Sequence, residues 1–125
     1  MTKRILVVED QEDLRRVLRV LLAKSGFAVV EVADGEAGVA AAKAEHPDLI
    51  LMDIQLPVLD GHEATRQIKQ NPELRHIPII VVTSYALSGD DQKAIAAGSD
   101  GYVAKPFSPR QLLATIRKFL PEAEG

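Results

Sequence analysis

Short apolar runs recur along the chain and alternate with longer amphipathic segments, and this alternation constrains the fold more than any other feature. The runs are rich in β-branched residues and comprise Ile5 to Val8, Phe27 to Val32, Leu49 to Met52, Ile77 to Val82 and a weaker run from Gly101 to Ala104. Continuous apolar runs of this length are typical of parallel strands, because helices cover both faces of a parallel sheet. We therefore expect five parallel strands that are buried on both faces.

Five amphipathic segments follow these runs, and residues that begin or end helices bound them. Gly26 closes the first segment, and Ser108 with Pro109 opens the last. The segments comprise Leu14 to Leu22, Ala37 to Glu45, Gly61 to Gln70, Asp90 to Ala97 and Pro109 to Phe119. Parallel strands need right-handed helical crossovers, so the predicted fold is of the α/β class. We expect a doubly wound, flavodoxin-like parallel sheet in the strand order 2-1-3-4-5 with five helices.

The length and composition indicate one globular domain. A chain of 125 residues suits a single core, and no linker or repeat divides it, so we expect one domain over residues 1–125 and no effector domain. The absence of cysteine excludes disulfides, thiolate metal sites and a cysteine nucleophile. A net charge of -3 without blocks of like charge argues against nucleic acid or an anionic membrane as a partner. No signal peptide or membrane span is evident, so we expect a cytoplasmic protein.

Reactive polar residues follow four of the five predicted strands. Glu9 and Asp10 end the first strand, Asp53 ends the third, Thr83 ends the fourth and Lys105 follows the fifth. Ligands of an open α/β sheet bind at the carboxyl ends of its strands, so we expect these residues to converge on one site. Three of them also have an ordinary structural explanation: a helix N-cap for Asp10, a strand-end hydroxyl for Thr83 and a solvated loop lysine for Lys105. Asp53 has none of this kind, because a carboxylate that ends an apolar run is poorly placed for a purely structural role. Their shared position at one sheet edge favours a functional site.

The residue types at this edge indicate phosphoryl chemistry. Three carboxylates in a small space repel one another unless a cation joins them. A ligand set of oxygens alone, without His or Cys, favours Mg2+ completed by water and phosphate. Thr83 and Lys105 would place a hydroxyl donor and a positive charge opposite that ion, which makes a pocket for a phosphoryl group. The carboxylate of Asp53 is then the natural nucleophile, and its product would be an aspartyl phosphate.

The arrangement of these residues resembles the receiver domains of bacterial response regulators, which have the chemotaxis-protein fold. The matching segments are Ile5 to Asp10, Pro47 to Pro57 with Asp60-Gly61, Val82-Thr83-Ser84 and Gly101 to Phe107. They span nearly the whole chain in the family's order and spacing. The segments His76-Ile77-Pro78 and Ser88-Gly89-Asp90 make the chain similar to single-domain regulators of the alphaproteobacterial cell-cycle type.

The resemblance implies a magnesium site around Asp53, which would be the phosphate-accepting residue. Asp10 and Asp53 would be the carboxylate ligands of Mg2+, and the backbone carbonyl of Gln55 would be a third ligand. The family more often has aspartate at the position of Glu9. The longer side chain of Glu9 is therefore expected to reach the ion through a water molecule.

The resemblance also implies roles for residues on the fourth and fifth strands. Lys105 would bind the phosphate and would precede a cis peptide bond to Pro106. Thr83 and Tyr102 would form a switch pair, in which the Thr83 hydroxyl moves toward the phosphoryl group and the Tyr102 ring fills the space that it leaves. This change would alter the face formed by the predicted fourth helix, the fifth strand and the predicted fifth helix.

Together these features predict a single-domain response regulator that acts as a phosphorylation switch and not as a metabolic enzyme. Its phosphodonor would be a sensor histidine kinase or phosphotransfer protein of the chemotaxis, cell-cycle or phytochrome type. Its output would be contact with a downstream protein. A homodimer through the face that contains Ala86, Leu87 and Tyr102 is a further expectation.

Two alternative functions stay open at this point. An aspartyl-phosphate phosphohydrolase would need a second carboxylate as general acid two residues after the nucleophile, where this chain has Gln55. A pseudo-receiver would bind partners without phosphate, which the intact set of Asp10, Asp53, Thr83 and Lys105 argues against. A nucleotide-binding domain is excluded, because the first strand-helix turn is acidic and lacks glycine.

Overall fold

The five predicted strands form one parallel sheet. A computed structural model describes residues 2–83 and 98–120. Its strands are β1 (Arg4–Val8), β2 (Ala28–Val32), β3 (Leu49–Asp53), β4 (Ile79–Thr83) and β5 (Gly101–Ala104). Their spatial order is β2-β1-β3-β4-β5, and every neighbouring pair is parallel. The predicted fold class and strand order are therefore confirmed.

Four helices occur in the described part of the chain. They are α1 (Glu12–Lys24), α2 (Gly35–Glu45), α3 (Gly61–Gln70) and α4 (Pro109–Phe119). The last of these is the predicted fifth helix. The helix predicted from Asp90 to Ala97 lies outside the described residues, as do Ala86 and Leu87. No helix within the described ranges is both long enough and apolar enough to cross a membrane.

The strands differ in burial between the centre and the edges of the sheet. The central strands β3 and β4 are buried along their whole length, and β1 is buried after Arg4. By contrast, β2 has no fully buried residue, and β5 buries only Val103. The expectation that every strand is buried on both faces is therefore wrong for β2 and β5. Within the described residues, each of these two strands lies at an edge of the sheet and pairs with one neighbouring strand.

Two apolar cores fill the two faces of the sheet, because alternate residues of a strand point to opposite faces. The core beneath α1 and α4 contains Val7, Leu22, Leu51, Ile80 and Ile116 among others. The core beneath α2 and α3 contains Val8, Ala42, Met52, Ile68 and Ile79 among others. Since the same strands contribute to both cores, their carboxyl ends are held firmly at one edge of the sheet.

Side-chain caps determine where three of the helices begin. The carboxylate of Asp34 accepts a hydrogen bond from the backbone N–H of Ala37 at 2.7 Å, so α2 begins at Gly35, two residues before the predicted start. Asp60 caps α3 and Ser108 caps α4 in the same way, and these helices begin where the sequence predicts. Such caps satisfy backbone donors that have no partner inside the helix.

Candidate functional site

The carboxylates of Glu9, Asp10 and Asp53 lie together at the carboxyl edge of the sheet. Asp53 is the last residue of β3, and Val8 of β1 lies opposite Met52, so Glu9 follows at the level of Asp53. One carboxylate oxygen from each of the three acids lies within 4.8 Å of the other two. The structure therefore brings together the three acidic residues that the sequence places at this edge.

The three carboxylates differ in their exposure to solvent. Glu9 is 2% exposed and Asp53 is 6% exposed, whereas Asp10 is open to solvent. Asp10 is not the N-cap of α1, because that position belongs to Gln11, which makes no side-chain capping bond. The capping explanation for Asp10 is therefore wrong. Buried carboxylates such as Glu9 and Asp53 need a cation or hydrogen-bond donors beside them to stay ionised.

Lys105 supplies a positive charge to the two buried carboxylates. Its Nζ lies 3.2 Å from Oε1 of Glu9 and 3.3 Å from Oδ2 of Asp53. The backbone N–H of Lys105 donates to the carbonyl of Thr83 at 2.7 Å, which fixes the start of the loop after β5. The peptide bond between Lys105 and Pro106 is cis, as the family resemblance implies.

The other predicted site residues lie on the loop after β3 and on the strands β4 and β5. Thr83 ends β4 and is 1% exposed. The backbone N–H of Gln55 donates to Oδ1 of Asp53 at 3.3 Å. Tyr102 is half-buried on β5, opposite Val81 of β4. The Gln55 carbonyl as a metal ligand and the Thr83–Tyr102 pair as a switch stay predictions.

Burial, together with the nearby charge of Asp53, raises the pKa of the Glu9 carboxyl from its ordinary value of 4.5 to about 7. Two groups act in the opposite direction. The backbone N–H of Gln11 donates to Oε2 of Glu9 at 3.0 Å, and Lys105 contributes its positive charge. Glu9 therefore holds a proton over part of the neutral pH range. A cation that binds beside Glu9 would favour the loss of this proton.

In the absence of divalent ions, we expect the free energy of unfolding to fall as the pH rises from about 5 to about 8. Between pH 4.5 and about 7, folded Glu9 holds its proton, whereas the same carboxyl in the unfolded chain has lost it. The folded state then binds more protons, so stability declines through this window, by up to about 3 kcal/mol. Urea unfolding in EDTA at several pH values measures the decline.

Glu9→Gln removes the titrating group and should flatten this pH dependence. Glu12→Gln is the matched control, because Glu12 is exposed in the first turn of α1 and makes no contact with the cluster in the described structure. The control should keep the slope of the wild-type protein. An equal slope in the Glu9 variant and the wild type would contradict the raised pKa.

The donor set of the cluster suits a hard divalent cation. The three residues offer carboxylate oxygens only, with no imidazole or thiolate among them. When Glu9 is ionised, Lys105 can balance only one of the three negative charges, so an added cation would relieve the remaining repulsion. Within residues 2–83 and 98–120, no second group of three potential metal ligands meets the same spacing.

Two residues beside the cluster were not predicted from the sequence. Arg15 donates through NH1 to the backbone carbonyl of Glu9 at 2.9 Å, and its Nε lies 3.3 Å from Oε1 of Glu31. The sequence contains one sign of this contact. Glu31 is a charged residue inside the apolar run of β2, and Arg15 and Arg19 lie four residues apart on α1. A charge in such a run needs a partner on a neighbouring element.

Comparison with known proteins identifies the family. The family described as "Response regulator receiver domain" matches residues 5–117 of the chain. The chain belongs to this family. This receiver domain is 41% identical over 123 residues to the polar-differentiation response regulator DivK of Brucella ovis, a match that covers 98% of this chain and 100% of that protein. It is 39% identical over the same length to DivK of Brucella anthropi.

Solved receiver structures share the whole fold. The receiver domain of sensor histidine kinase PA1611 from Pseudomonas aeruginosa aligns with a TM-score of 0.91 and 39% identity over 97% of this chain and 99% of that one. Its crystal structure has a magnesium ion coordinated in the active-site cleft. The chemotaxis response regulator CheY4 of Vibrio cholerae aligns with a TM-score of 0.90 and 28% identity over 95% and 99% of the two chains. Receiver domains of this family act in two-component signalling, where they interact with histidine kinases and downstream targets.

Proposed function

We propose that this receiver domain is a Mg2+-dependent phosphorylation switch whose phosphate-accepting residue is Asp53. The proposal rests on the charged groups that surround this buried carboxylate. Oδ2 of Asp53 lies 3.3 Å from Nζ of Lys105, and one carboxylate oxygen from each of Glu9, Asp10 and Asp53 lies within 4.8 Å of the other two. Asp10, Asp53 and the backbone carbonyl of Gln55 would hold Mg2+, and Glu9 would act through a water molecule. The magnesium ion in the receiver of PA1611 supports the choice of ion.

The chemistry we propose is transfer of a phosphoryl group from histidine to Asp53. A carboxylate oxygen of Asp53 attacks phosphorus, a new O–P bond forms as the N–P bond breaks, and the imidazole leaves with the electron pair and then takes up a proton. Lys105 stabilises the negative charge on the phosphoryl oxygens. Bound Mg2+ supplies further neutralisation of that charge.

The signal would leave the site through β4 and β5. The Thr83 hydroxyl at the end of β4 would donate to a phosphoryl oxygen. Tyr102 on β5 would respond, because the two strands are paired and Thr83 lies opposite Ala104, two residues after Tyr102. A downstream protein, or a second copy of the chain, would bind the face that contains Tyr102 and α4. We propose that the domain works in this way in the cytoplasm, as a signalling switch and not as a metabolic enzyme.

An apolar groove beside the site is our candidate for the docking surface of the histidine kinase. It has a volume of about 550 Å³ and is lined by Leu14, Val17, Leu21, Lys105, Pro106, Phe107 and Pro109. Val17 is 56% exposed, although it is a large aliphatic residue. Because Lys105 contributes to both the groove and the acidic site, a kinase bound here would bring its phosphohistidine close to Asp53. Exposed apolar surface of this kind is typical of protein interfaces.

Val17→Gln is expected to lower kcat/KM for phosphotransfer from a histidine kinase about tenfold. The same variant should react with acetyl phosphate within about twofold of the wild-type rate, because a small phosphodonor does not need the groove. Val20→Gln is the matched control, since Val20 is also exposed on α1 but does not line the groove. Equal kinase kinetics for both variants and the wild type would argue against docking in the groove.

Acetyl phosphate also provides the test of the proposed function. Intact-mass spectrometry of the wild-type protein should show the addition of one phosphate in Mg2+ and none in EDTA. Repeated turnover of phosphate esters would instead indicate a phosphohydrolase. A folded protein that gains no phosphate in Mg2+ would indicate a pseudo-receiver, and either of these results would overturn the proposal.

A further inference from the structure

The side chain of Arg15 connects the acidic site to the edge strand β2. Its NH1 donates to the backbone carbonyl of Glu9 at 2.9 Å, and its Nε lies 3.3 Å from Oε1 of Glu31. The side chains of Arg15 and Glu31 are only 21% and 24% exposed, so water competes weakly for these contacts. The guanidinium is thus anchored by a carboxylate on β2 while it donates to the peptide between Glu9 and Asp10.

That peptide controls the direction of two of the three acidic side chains. The backbone N–H of Glu9 donates to the carbonyl of Val32 at 3.1 Å, and its carbonyl accepts from Arg15, so both main-chain polar groups of Glu9 are held. Rotation of the Glu9–Asp10 peptide would move both carboxylates relative to Asp53. Metal ligands bind tightly only when neighbouring groups hold their oxygens in place.

We infer that Arg15 is a positioning residue for the Mg2+ site, which holds the Glu9–Asp10 peptide in the orientation that the ion requires. The inference rests on the proposed function, because it assumes that the acidic cluster binds Mg2+. Arginine suits the task, since its planar guanidinium has several donors and can bind a carboxylate and a carbonyl together. Lysine at this position would keep the charge but would reach both partners less well.

Arg19 provides a matched control for Arg15. It lies one turn further along α1, and its NH1 is 3.0 Å from Oε2 of the same Glu31. Its described contacts do not include the Glu9 carbonyl. Arg19→Met therefore removes the same charge from the same helix, together with an ion pair to the same partner. Unlike Arg15→Met, it leaves in place the hydrogen bond from Arg15 to the Glu9 carbonyl.

Isothermal titration with Mg2+ measures the expected effect at a temperature where circular dichroism shows each variant to be folded. Arg15→Met should weaken Mg2+ affinity about tenfold. Arg15→Lys should weaken it about threefold, and Arg19→Met less than about twofold. If Arg15→Met does not fold, the comparison of Arg15→Lys with Arg19→Met decides the question.

The kinetics of phosphorylation by acetyl phosphate separate positioning of the metal ligands from a general loss of activity. In Arg15→Met, the Mg2+ concentration for half the maximal rate should rise by about the same factor as the Kd, while the maximal rate changes less than about twofold.

Equal Mg2+ affinities for Arg15→Met, Arg19→Met and the wild type would overturn the role of Arg15 and leave the proposed function in place. An equal loss in both variants would overturn it as well, because charge alone would explain the loss. If the wild-type protein binds no Mg2+, the proposed function fails, and the inference fails with it.

Discussion

Asp53→Asn is expected to reduce the rate of phosphorylation by acetyl phosphate to less than about one hundredth of the wild-type rate. Asparagine has the size of aspartate and fits the end of β3, but its amide is a far weaker nucleophile than a carboxylate. The variant should also be more stable, because Asp53 is one of three clustered acids and Lys105 balances only one negative charge. In EDTA at about pH 8, we expect its free energy of unfolding to rise by about 1 kcal/mol. Intact-mass spectrometry and urea unfolding measure the two effects.

Asp60→Asn is the matched control for this variant. Asp60 lies at the N-cap of α3, where its carboxylate accepts from the backbone N–H of Glu63 at 2.9 Å, and asparagine caps helices about as well as aspartate. The control should take up phosphate at close to the wild-type rate. Phosphorylation of the Asp53 variant at the rate of the control would show that another residue accepts the phosphate.

Gly61→Ala is expected to destabilise the fold by about 3 kcal/mol or more. A Cβ atom at Gly61 would lie 2.0 Å from the carbonyl oxygen of Asp53 and 2.8 Å from Cα of Ile54, and both are backbone atoms that cannot rotate away. The backbone N–H of Gly61 also donates to the carbonyl of Ile54 at 2.9 Å, which holds the start of α3 against the end of β3. An added methyl group has to separate the two elements. Urea unfolding measures the loss of stability.

The same substitution should also impair the site, because the atom that the methyl group meets belongs to Asp53 itself. At a temperature where Gly61→Ala is still folded, we expect its rate of phosphorylation to be at least about tenfold lower than that of the wild type. Gly38→Ala is the control, since its Cβ would meet only side-chain atoms of Val8 at 3.0 Å or more. Alanine is also the better helix former within α2, so this control should change stability by less than about 1.5 kcal/mol. Equal effects of the two substitutions would contradict the structural role of Gly61.

Local sequence patterns were sufficient to predict the sheet and most helix boundaries. The runs around β1, β3 and β4 are apolar because those strands are buried, and Asp60 and Ser108 mark the starts of α3 and α4. The half-exposed state of β2 could not be predicted in the same way. A strand at the edge of a sheet and one at its centre can have similar apolar sequences, and their burial depends on which neighbours the fold supplies.

The candidate site was predictable in outline because parallel strands bring their carboxyl ends to one edge. That rule places Glu9, Asp53 and Lys105 together without any knowledge of distances. It does not show that Lys105 reaches both carboxylates, or that burial raises the pKa of Glu9, because both depend on how side chains pack in three dimensions. The contact of Arg15 with the Glu9 carbonyl could not be predicted from the sequence for the same reason.

The most direct test of the central claim is to locate the phosphoryl group on the chain. The protein is treated with acetyl phosphate and Mg2+ and then with borohydride, which reduces an aspartyl phosphate to homoserine and so marks the residue that carried it. We expect peptide mapping by mass spectrometry to find this conversion at Asp53 alone, and only in samples that contained Mg2+. Conversion at another aspartate, or none at all in a folded protein that binds Mg2+, would contradict the assignment of Asp53 as the phosphate acceptor.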